Sequence, residues 1–489
     1  MHRKPTTLFI SAYRAFSMRY ILCTDIIDVL KKQIDNIVIF VKDEDIKKLR
    51  TLYQSQNITV ESIDFKRARE QTTRNVLVTS LIILRKFTSG RRGNFLNSTA
   101  NLNKIQFKQE YSFGWAKRIF TVLCFISFFA ARSVIVRKLI LIANKLLLPG
   151  HIYDHYFRKY KPDTLLIGSI GYGIDDLMIN SAKRHNCSVI SLPFSWDNSS
   201  TRGYRGGSPD LVITWTERMA KEIEIFHDIP SSSIKVGGVA HWDSYFNGQY
   251  QAPARSTFIS NKGLDPKKKL LFYSLSAPRH LKHRFEIITM ILDSITMNKI
   301  KIPSQLLVRF HPSDLFEKPD GTLVIQDYDG QIQNIKQQYK DIVKFWVPDI
   351  PHKNSNGELS MDDMFRMADA ITHCDIIIQE YSTLIMETSI FDKPVINISM
   401  HTWEQNLPLT STIGARTHLR HILSFNSCTT VESTEEFITA TNQYLEDPLH
   451  RQQYRSNLLE SELNTNRGTA GNAIGNMITK HIEYKIGEV

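Results

Sequence analysis

The chain has 489 residues, 42% hydrophobic and 22% charged, with 61 Lys+Arg against 49 Asp+Glu. That length exceeds what one hydrophobic core usually supports, so two domains are expected, and ordinary Gly and Pro usage excludes a collagenous or low-complexity chain. Five dispersed cysteines without a CxxC pair exclude a zinc knuckle and a disulfide framework, while a net charge of +12 leaves nucleic acid, an anionic membrane or phosphorylated substrates open.

In chain order, TTLFIS (6–11) reads as a first strand rather than a signal peptide. Helical spacing at 21–33, a strand IVIFV (37–41), a helix at 43–54 and a strand ITVESIDF (58–65) follow. Strands alternating with helices indicate βαβ units and a parallel sheet. From Arg85 to Lys161, fifteen Lys/Arg stand against Glu110 and Asp154 alone, so this block carries the whole charge excess. It reads as largely helical and contains the most apolar run, IFTVLCFISFFAA (119–131), between Arg118 and Arg132. A spanning helix needs about 20 residues. Two readings of this shorter run stay open: a buried core helix, or an interfacial helix with its bases on anionic lipid.

The alternation resumes with strands at 163–169, 187–193, 210–215 and 234–238 and helices at 174–185 and 216–226. Asp175 and Asp176, adjacent at a helix start, read as a solvated first turn. Gly171-Tyr-Gly173 is not GxGxxG, so an NAD site is a poor reading. A polar stretch at 247–265 is the candidate linker. Beyond it lie strands at 268–276, 305–312, 342–348, 375–380 and 393–399, with helices at 281–296, 361–371, 383–391, 434–445, 448–463 and from 471. The expected organisation is a first domain at 1–247 with a basic helical insertion at about 85–161, a second domain at 248–470, and a terminal helix at 471–489 that packs back on the first. Ligands of doubly wound folds bind at the carboxyl ends of the strands, here in a cleft between two sheets.

The strongest local signal is DIIIQEYSTLIMETSIFDKPVINI (375–398). A buried strand ends in a polar turn, Glu380-Tyr-Ser-Thr383, where Ser382 or Thr383 caps the next helix and its amides favour an anion. Glu387 lies one turn along the same face, placed to accept from a ribose diol. LLVRFHPSD (306–314) ends a strand in His311, a residue that can donate to a phosphate or protonate a leaving group. SLSAPRH (274–280) offers Ser274, Ser276 and Arg279 to a pyrophosphate. In the first half, LPFSWDNSSTRG (192–203) presents Trp196 and Asp197, and IKVGGVAHWD (234–243) presents His241. Asp197 and His241 are acid–base candidates, although a loop Asp is more often a turn residue. Arg14 and Arg19 are placed to hold an acidic or phosphorylated acceptor.

The acid–x–Ser–Thr turn, Glu387 seven residues after Glu380, and Lys393-Pro-Val-Ile on the next strand resemble the nucleotide-binding half of GT-B glycosyltransferases. The likeness is to the branch holding CDP-glycerol glycerophosphotransferases and capsule and lipopolysaccharide transferases, whose scaffold the non-hydrolysing UDP-N-acetylglucosamine 2-epimerases share. The resemblance implies an α/β, GT-B protein with two Rossmann-like, doubly wound domains facing across a cleft. It implies that Ser382 and Thr383 hold donor phosphates, that Glu387 holds the ribose, and that His311 occupies a His-Pro motif for nucleotide-activated donors. Glu380 stands where those families often carry Asp, and the Gly-rich loop common after their first strand is replaced by AYRAFSMRY (12–20).

The implied function is metal-independent transfer of a sugar from a nucleotide-activated donor to a surface-polysaccharide or lipid-linked acceptor. No cofactor beyond that donor is expected. The expected location is cytoplasmic, peripheral on the inner face of the membrane and docked by the basic block on anionic lipid. A polyol-phosphate (CDP-glycerol-type) transferase and a non-catalytic partner in a polysaccharide assembly complex are the alternatives. Without helix-turn-helix, RNP or finger signatures, no nucleic-acid partner is expected.

Overall fold

A computed structural model describes residues 5–73, 75–110, 115–148, 150–278, 283–348, 361–400 and 413–487. Two units divide the chain: 1–247 with 416–418 and 462–489, and 248–415 with 419–461. In the first, seven parallel strands form one sheet among the described residues: β1 (Thr7–Ser11), β2 (Asn36–Val41), β3 (Ile58–Ser62), β4 (Thr164–Ile167), β5 (Ser188–Ser191), β6 (Leu211–Thr214) and β7 (Ile234–Val236). Their order is β3-β2-β1-β4-β5-β6-β7, with β1 and β4 central. Leu8, Phe9, Ile10, Leu165, Leu166 and Ile167 are fully buried there, as strands covered on both faces require.

The second unit repeats the plan with β8 (Lys269–Ser274), β9 (Ser304–Arg309), β10 (Val343–Trp346), β11 (Ile376–Gln379), β12 (Val395–Ile398) and β13 (Thr429–Val431). Their order is β10-β9-β8-β11-β12-β13, again parallel throughout. In both sheets the connections reverse direction beside the first strand, between β1 and β4 and between β8 and β11. Ligand crevices of open α/β sheets form at such switch points.

The helices of the first unit are α1 (Ala15–Leu22), α2 (Asp25–Gln33), α3 (Ile46–Tyr53), α4 (Phe65–Thr73), α5 (Val76–Phe87), α6 (Ser98–Glu110), α7 (Trp115–Ala130), α8 (Val134–Leu147), α9 (Asp154–Tyr160), α10 (Asp175–Arg184), α11 (Asn198–Thr201) and α12 (Glu217–His227). The basic block is the inserted set α5–α8 with α9. Asn75 caps α5 by accepting from the amides of Leu77 and Val78, and Ser133 caps α8 through Val136. Leu81, Leu84, Phe87, Leu123, Ala130 and Ile140 form a separate small core for this insertion.

In the second unit, α13 (Arg255–Asn261) falls inside the expected polar linker, because Phe258 and Ile259 are buried and Phe258 lies 5.2 Å from the His373 ring. Next come α14 (Arg284–Thr296), α15 (Asp329–Gln338), α16 (Met361–His373), α17 (Leu384–Ile390), α18 (Thr417–Leu423), whose first two residues count with the first unit, α19 (Thr434–Glu446) and α20 (Gln452–Glu462), whose last residue does. The last helix, α21 (Ala470–Gly487), belongs to the first unit, where Ile474, Ile478 and Ile482 are buried and Gly475 lies against Val29 of α2. Gly238 (φ +93°) is required beneath it, since a Cβ there would meet the Thr465 carbonyl at 2.3 Å.

Two sequence expectations change. Asp175 and Asp176 are 1% and 2% exposed rather than solvated, because α10 starts under the carboxyl ends of β1 and β4. Asp175 accepts from Ser11 (3.1 Å) and Ser169 (2.6 Å), and Asp176 pairs with Arg85 at 2.5 Å. The basic block is also less free than its count suggests. Arg85 is 4% exposed and donates to Tyr204 O, Asn144 and Gly171 O, and Arg137 is equally buried and grips Asp228 through Nε (2.6 Å) and Nη2 (2.8 Å).

Candidate active site

The switch point of the second sheet is stitched by one carboxyl group. Glu380, the first residue after β11, accepts from the Tyr273 hydroxyl of β8 and from Ser276 through its amide (3.1 Å) and hydroxyl (2.6 Å). Glu380 is buried, and burial pushes it up to about 8, only partly offset by the Ser276 amide. The adjoining turn is strained. Tyr381 has φ +43°, a left-handed conformation that costs a non-glycine residue about 1–2 kcal/mol. Its amide donates to Asn397 (2.7 Å) and its hydroxyl to Ser399 (2.6 Å), both at the end of β12, and these hold the turn in place. Ser382, half-buried, accepts from the Leu384 amide at 3.2 Å and so caps α17, whereas the exposed Thr383 makes no side-chain cap bond. Glu387 is half-buried on the first turn of that helix.

A second chain of bonds ties the β8 and β9 loops together. His311 follows β9, and its Nδ1 accepts from the Ser313 amide at 3.0 Å. The neutral ring therefore carries its proton on Nε2. The His311 amide donates to Asp314 (2.9 Å), which is fully buried and gripped by both terminal nitrogens of Arg284. Arg284 also donates to the Ser276 carbonyl at 3.4 Å. Glu380, Ser276, Arg284, Asp314 and His311 thus form one continuous polar chain across the carboxyl edge. Ser274, half-buried, closes β8 beside it, and Arg279 lies outside the described residues.

Sequence reading missed Tyr273, Arg284 and Asp314. The signal for Asp314 was present in His-Pro-Ser-Asp, where the acid reaches back to the His311 amide in a capping box. Nothing local marks Tyr273 and Arg284, which reach their partners through the sheet. Gln379, fully buried at the end of β11, has no hydrogen-bond partner for either side-chain amide atom among the described residues.

The candidates of the first unit fall into two groups. Arg14 donates to the Tyr13 hydroxyl at 2.8 Å and lies over the Tyr13 and Tyr172 rings at 5.0 and 5.2 Å, with Asp175 nearby. Arg202 reaches the same Tyr172 ring at 5.4 Å. Asp197 is drawn toward this group through Arg202; it accepts from Ser195 (2.5 Å), Thr201 (2.9 Å) and Asn198 (3.2 Å), and His418 and Arg202 hold it below the usual carboxylate range against its burial. Burial pushes His418 down to about 4, and Trp196 lies edge-on to its ring at 4.9 Å. His241 stands apart with Arg19, enclosed by Tyr20, Trp215 and Trp242 at 5.5, 5.1 and 4.9 Å, and burial holds it neutral.

No protein-family profile matches the chain. A stretch of 191 residues, 38% of this chain, is 24% identical to a teichoic acid glycerol-phosphate primase of Bacillus spizizenii, and the match spans 39% of that protein's length. Over 99% of this chain and 98% of the other, the fold matches a protein designated a UDP-N-acetylglucosamine 2-epimerase from Listeria monocytogenes, with TM-score 0.53 and 9% identity. S. aureus MnaA, determined with UDP, matches over 98% of this chain and 97% of that one, with TM-score 0.50 and 11% identity. With two parallel doubly wound units and that likeness along nearly its whole length, the chain has the GT-B fold, the scaffold that its Glu380–Thr383 turn resembles.

Proposed function

We propose that the chain is a nucleotide-dependent transferase of cell-surface polymer synthesis, moving a sugar from a nucleotide-activated donor to a glycan or lipid-linked acceptor at an anionic membrane surface. The observation that carries this reading is the polar chain from Glu380 through Ser276, Arg284 and Asp314 to His311, which gathers three strand-end loops at the switch point. The donor's phosphates would lie against Ser276, Ser382 and the amides before α17, with Glu387 toward the ribose. Glu380, uncharged near neutral pH because it is buried, avoids the repulsion a carboxylate would exert on a diphosphate. The Nε2–H of His311 would donate to the leaving phosphate, and Asp314 and Arg284 keep that ring in register with the β8 loop. In the first unit, Arg14 would hold the acceptor's acidic group, with Asp197 as a candidate base.

A second reading, transfer of glycerol phosphate or a similar polyol phosphate from a CDP-linked donor, is favoured by the likeness to the glycerol-phosphate primase. A thermal-shift panel of UDP, GDP, dTDP, CDP and CMP separates the two. A ligand bound only by the folded state raises the melting midpoint, so a uridine, guanosine or thymidine diphosphate supports sugar transfer. Stabilisation by CDP and CMP alone supports polyol-phosphate transfer. His311→Ala should keep nucleotide binding and lose transfer by about a hundredfold or more. Full transfer by that variant, or no stabilisation by any nucleotide, would sink the assignment.

A further inference from the structure

α7 and α8 are consecutive helices in contact, joined through residues 131–133, whose inner faces are tied down and whose outer faces are apolar. On the inner side, Leu123, Ala130 and Ile140 enter the small core of the insertion, Arg137 grips Asp228, and Asn144 donates to Gly206 O at 2.6 Å. On the outer side, Val122, Phe125, Phe128 and Phe129 follow helical spacing on α7, and Ile135, Leu139, Ile142 and Leu146 follow it on α8. Phe125, Ile135 and Leu146 are 66%, 72% and 76% exposed. The patch exposes apolar surface on the order of 1,000 Å², above the few hundred Å² usual for a soluble monomer. Charge on this face has one sign. Lys117, Arg118, Arg132, Lys138 and Lys145 are exposed, and no Asp or Glu occurs between residues 117 and 148. Arg132 caps the turn between the helices, 3.6 Å over the Phe128 ring and bonded to the Phe128 carbonyl at 2.9 Å.

We infer that the outer face of the α7–α8 pair is a bilayer-docking surface, lying in the interface of a membrane rich in anionic lipid. Apolar side chains enter the acyl boundary while the surrounding bases meet lipid phosphates. No described helix is long and apolar enough to cross a membrane, and neither helix of this pair needs to. A second copy of the chain fits the face less well, because a two-fold contact would set one wholly basic face against another, with no acid among residues 117–148 to pair with Arg132, Lys138 and Lys145. This surface lies outside the transfer site and does not depend on the reaction assigned to it.

Co-sedimentation of the full chain with vesicles of phosphatidylglycerol and phosphatidylcholine, against phosphatidylcholine alone, tests the inference. Wild type should bind the anionic vesicles preferentially and be released by salt. Leu139→Glu with Ile135→Glu should lower partitioning about tenfold or more. Each of Arg132→Gln, Lys138→Gln and Lys145→Gln should lower it about fivefold, the equivalent of about 1 kcal/mol per base at an anionic surface. These positions face outward, so the melting midpoint should stay at the wild-type value, and each binding result is read only alongside an unchanged melt. Unaltered vesicle binding in the double glutamate variant overturns the inference. So does a lipid-free dimer, seen by sedimentation velocity, that the same variant disperses.

Discussion

Glu380 and Asp175 are each buried at the switch point of their own sheet, Glu380 accepting hydroxyls of Tyr273 and Ser276 from the β8 side and Asp175 accepting those of Ser11 at the end of β1 and Ser169 after β4. Burial raises both, Glu380 to about 8 and Asp175 to about 6. A carboxyl group raised on folding holds a proton that the unfolded chain has already released. Its stabilising contribution is therefore complete below the unfolded value and lost as pH rises through the folded one. For Glu380 that window runs from 4.5 to about 8. Urea midpoints across it should fall with pH in wild type, and Glu380→Gln should flatten the decline. An equal slope in the variant would remove Glu380 as its source. Gln379 offers a second test, since an unpartnered buried amide costs about 1–3 kcal/mol. Gln379→Met should raise the urea midpoint of the ligand-free protein, and a lowered midpoint would mean that the amide has a partner after all.

Neighbouring positions on α8 have opposite roles that charge counting cannot separate. Arg137 faces inward and holds Asp228 with two bonds, while Lys138 beside it is exposed. Arg137→Gln should cost about 2–3 kcal/mol, measured by urea unfolding, because Asp228 loses the guanidinium that donates to both of its carboxylate oxygens. Lys138→Gln should stay within about 0.5 kcal/mol and act on vesicle binding instead. The same division runs along α7. The apolar run at 119–131 is neither wholly buried nor wholly exposed, with Leu123 and Ala130 in the core and Phe125 outside it. The buried-core reading of that run therefore holds for one face only, and the other face is exposed.

The first unit is completed by residues far from it in sequence. Asp243 accepts from the amides of Ala470 (3.0 Å) and Gly471 (2.7 Å) at the start of α21, and Ile474, Ile478 and Ile482 are buried along that helix. Burying each such side chain is worth about 1.5–3 kcal/mol. Truncation after residue 461 should therefore lower the melting midpoint of the first unit steeply, or prevent it from folding, as circular dichroism and limited proteolysis would show. The second unit should keep its own transition. A single unshifted melt in the truncated chain would show that α21 contributes little.

The amino-acid sequence by itself determined the alternation of strands and helices, the place of the basic insertion, and the Glu380–Thr383 and His311-Pro312 segments. Hydrophobic period and turn chemistry are local properties, written in consecutive residues. Only the tertiary structure decided which of these residues meet. Tyr273 reaches Glu380, and Arg284 joins Ser276 to Asp314, across strands that are neighbours in the sheet though distant in the chain. Asp175 and Asp176 looked solvated because burial depends on what covers a helix start, here the ends of β1 and β4 and a guanidinium from the insertion. The +12 was legible as a number and as a location, but which bases face solvent depended on the packing of α5 and α8. That packing turned Arg85 and Arg137 inward as structural ties and left Arg132, Lys138 and Lys145 on an apolar outer face.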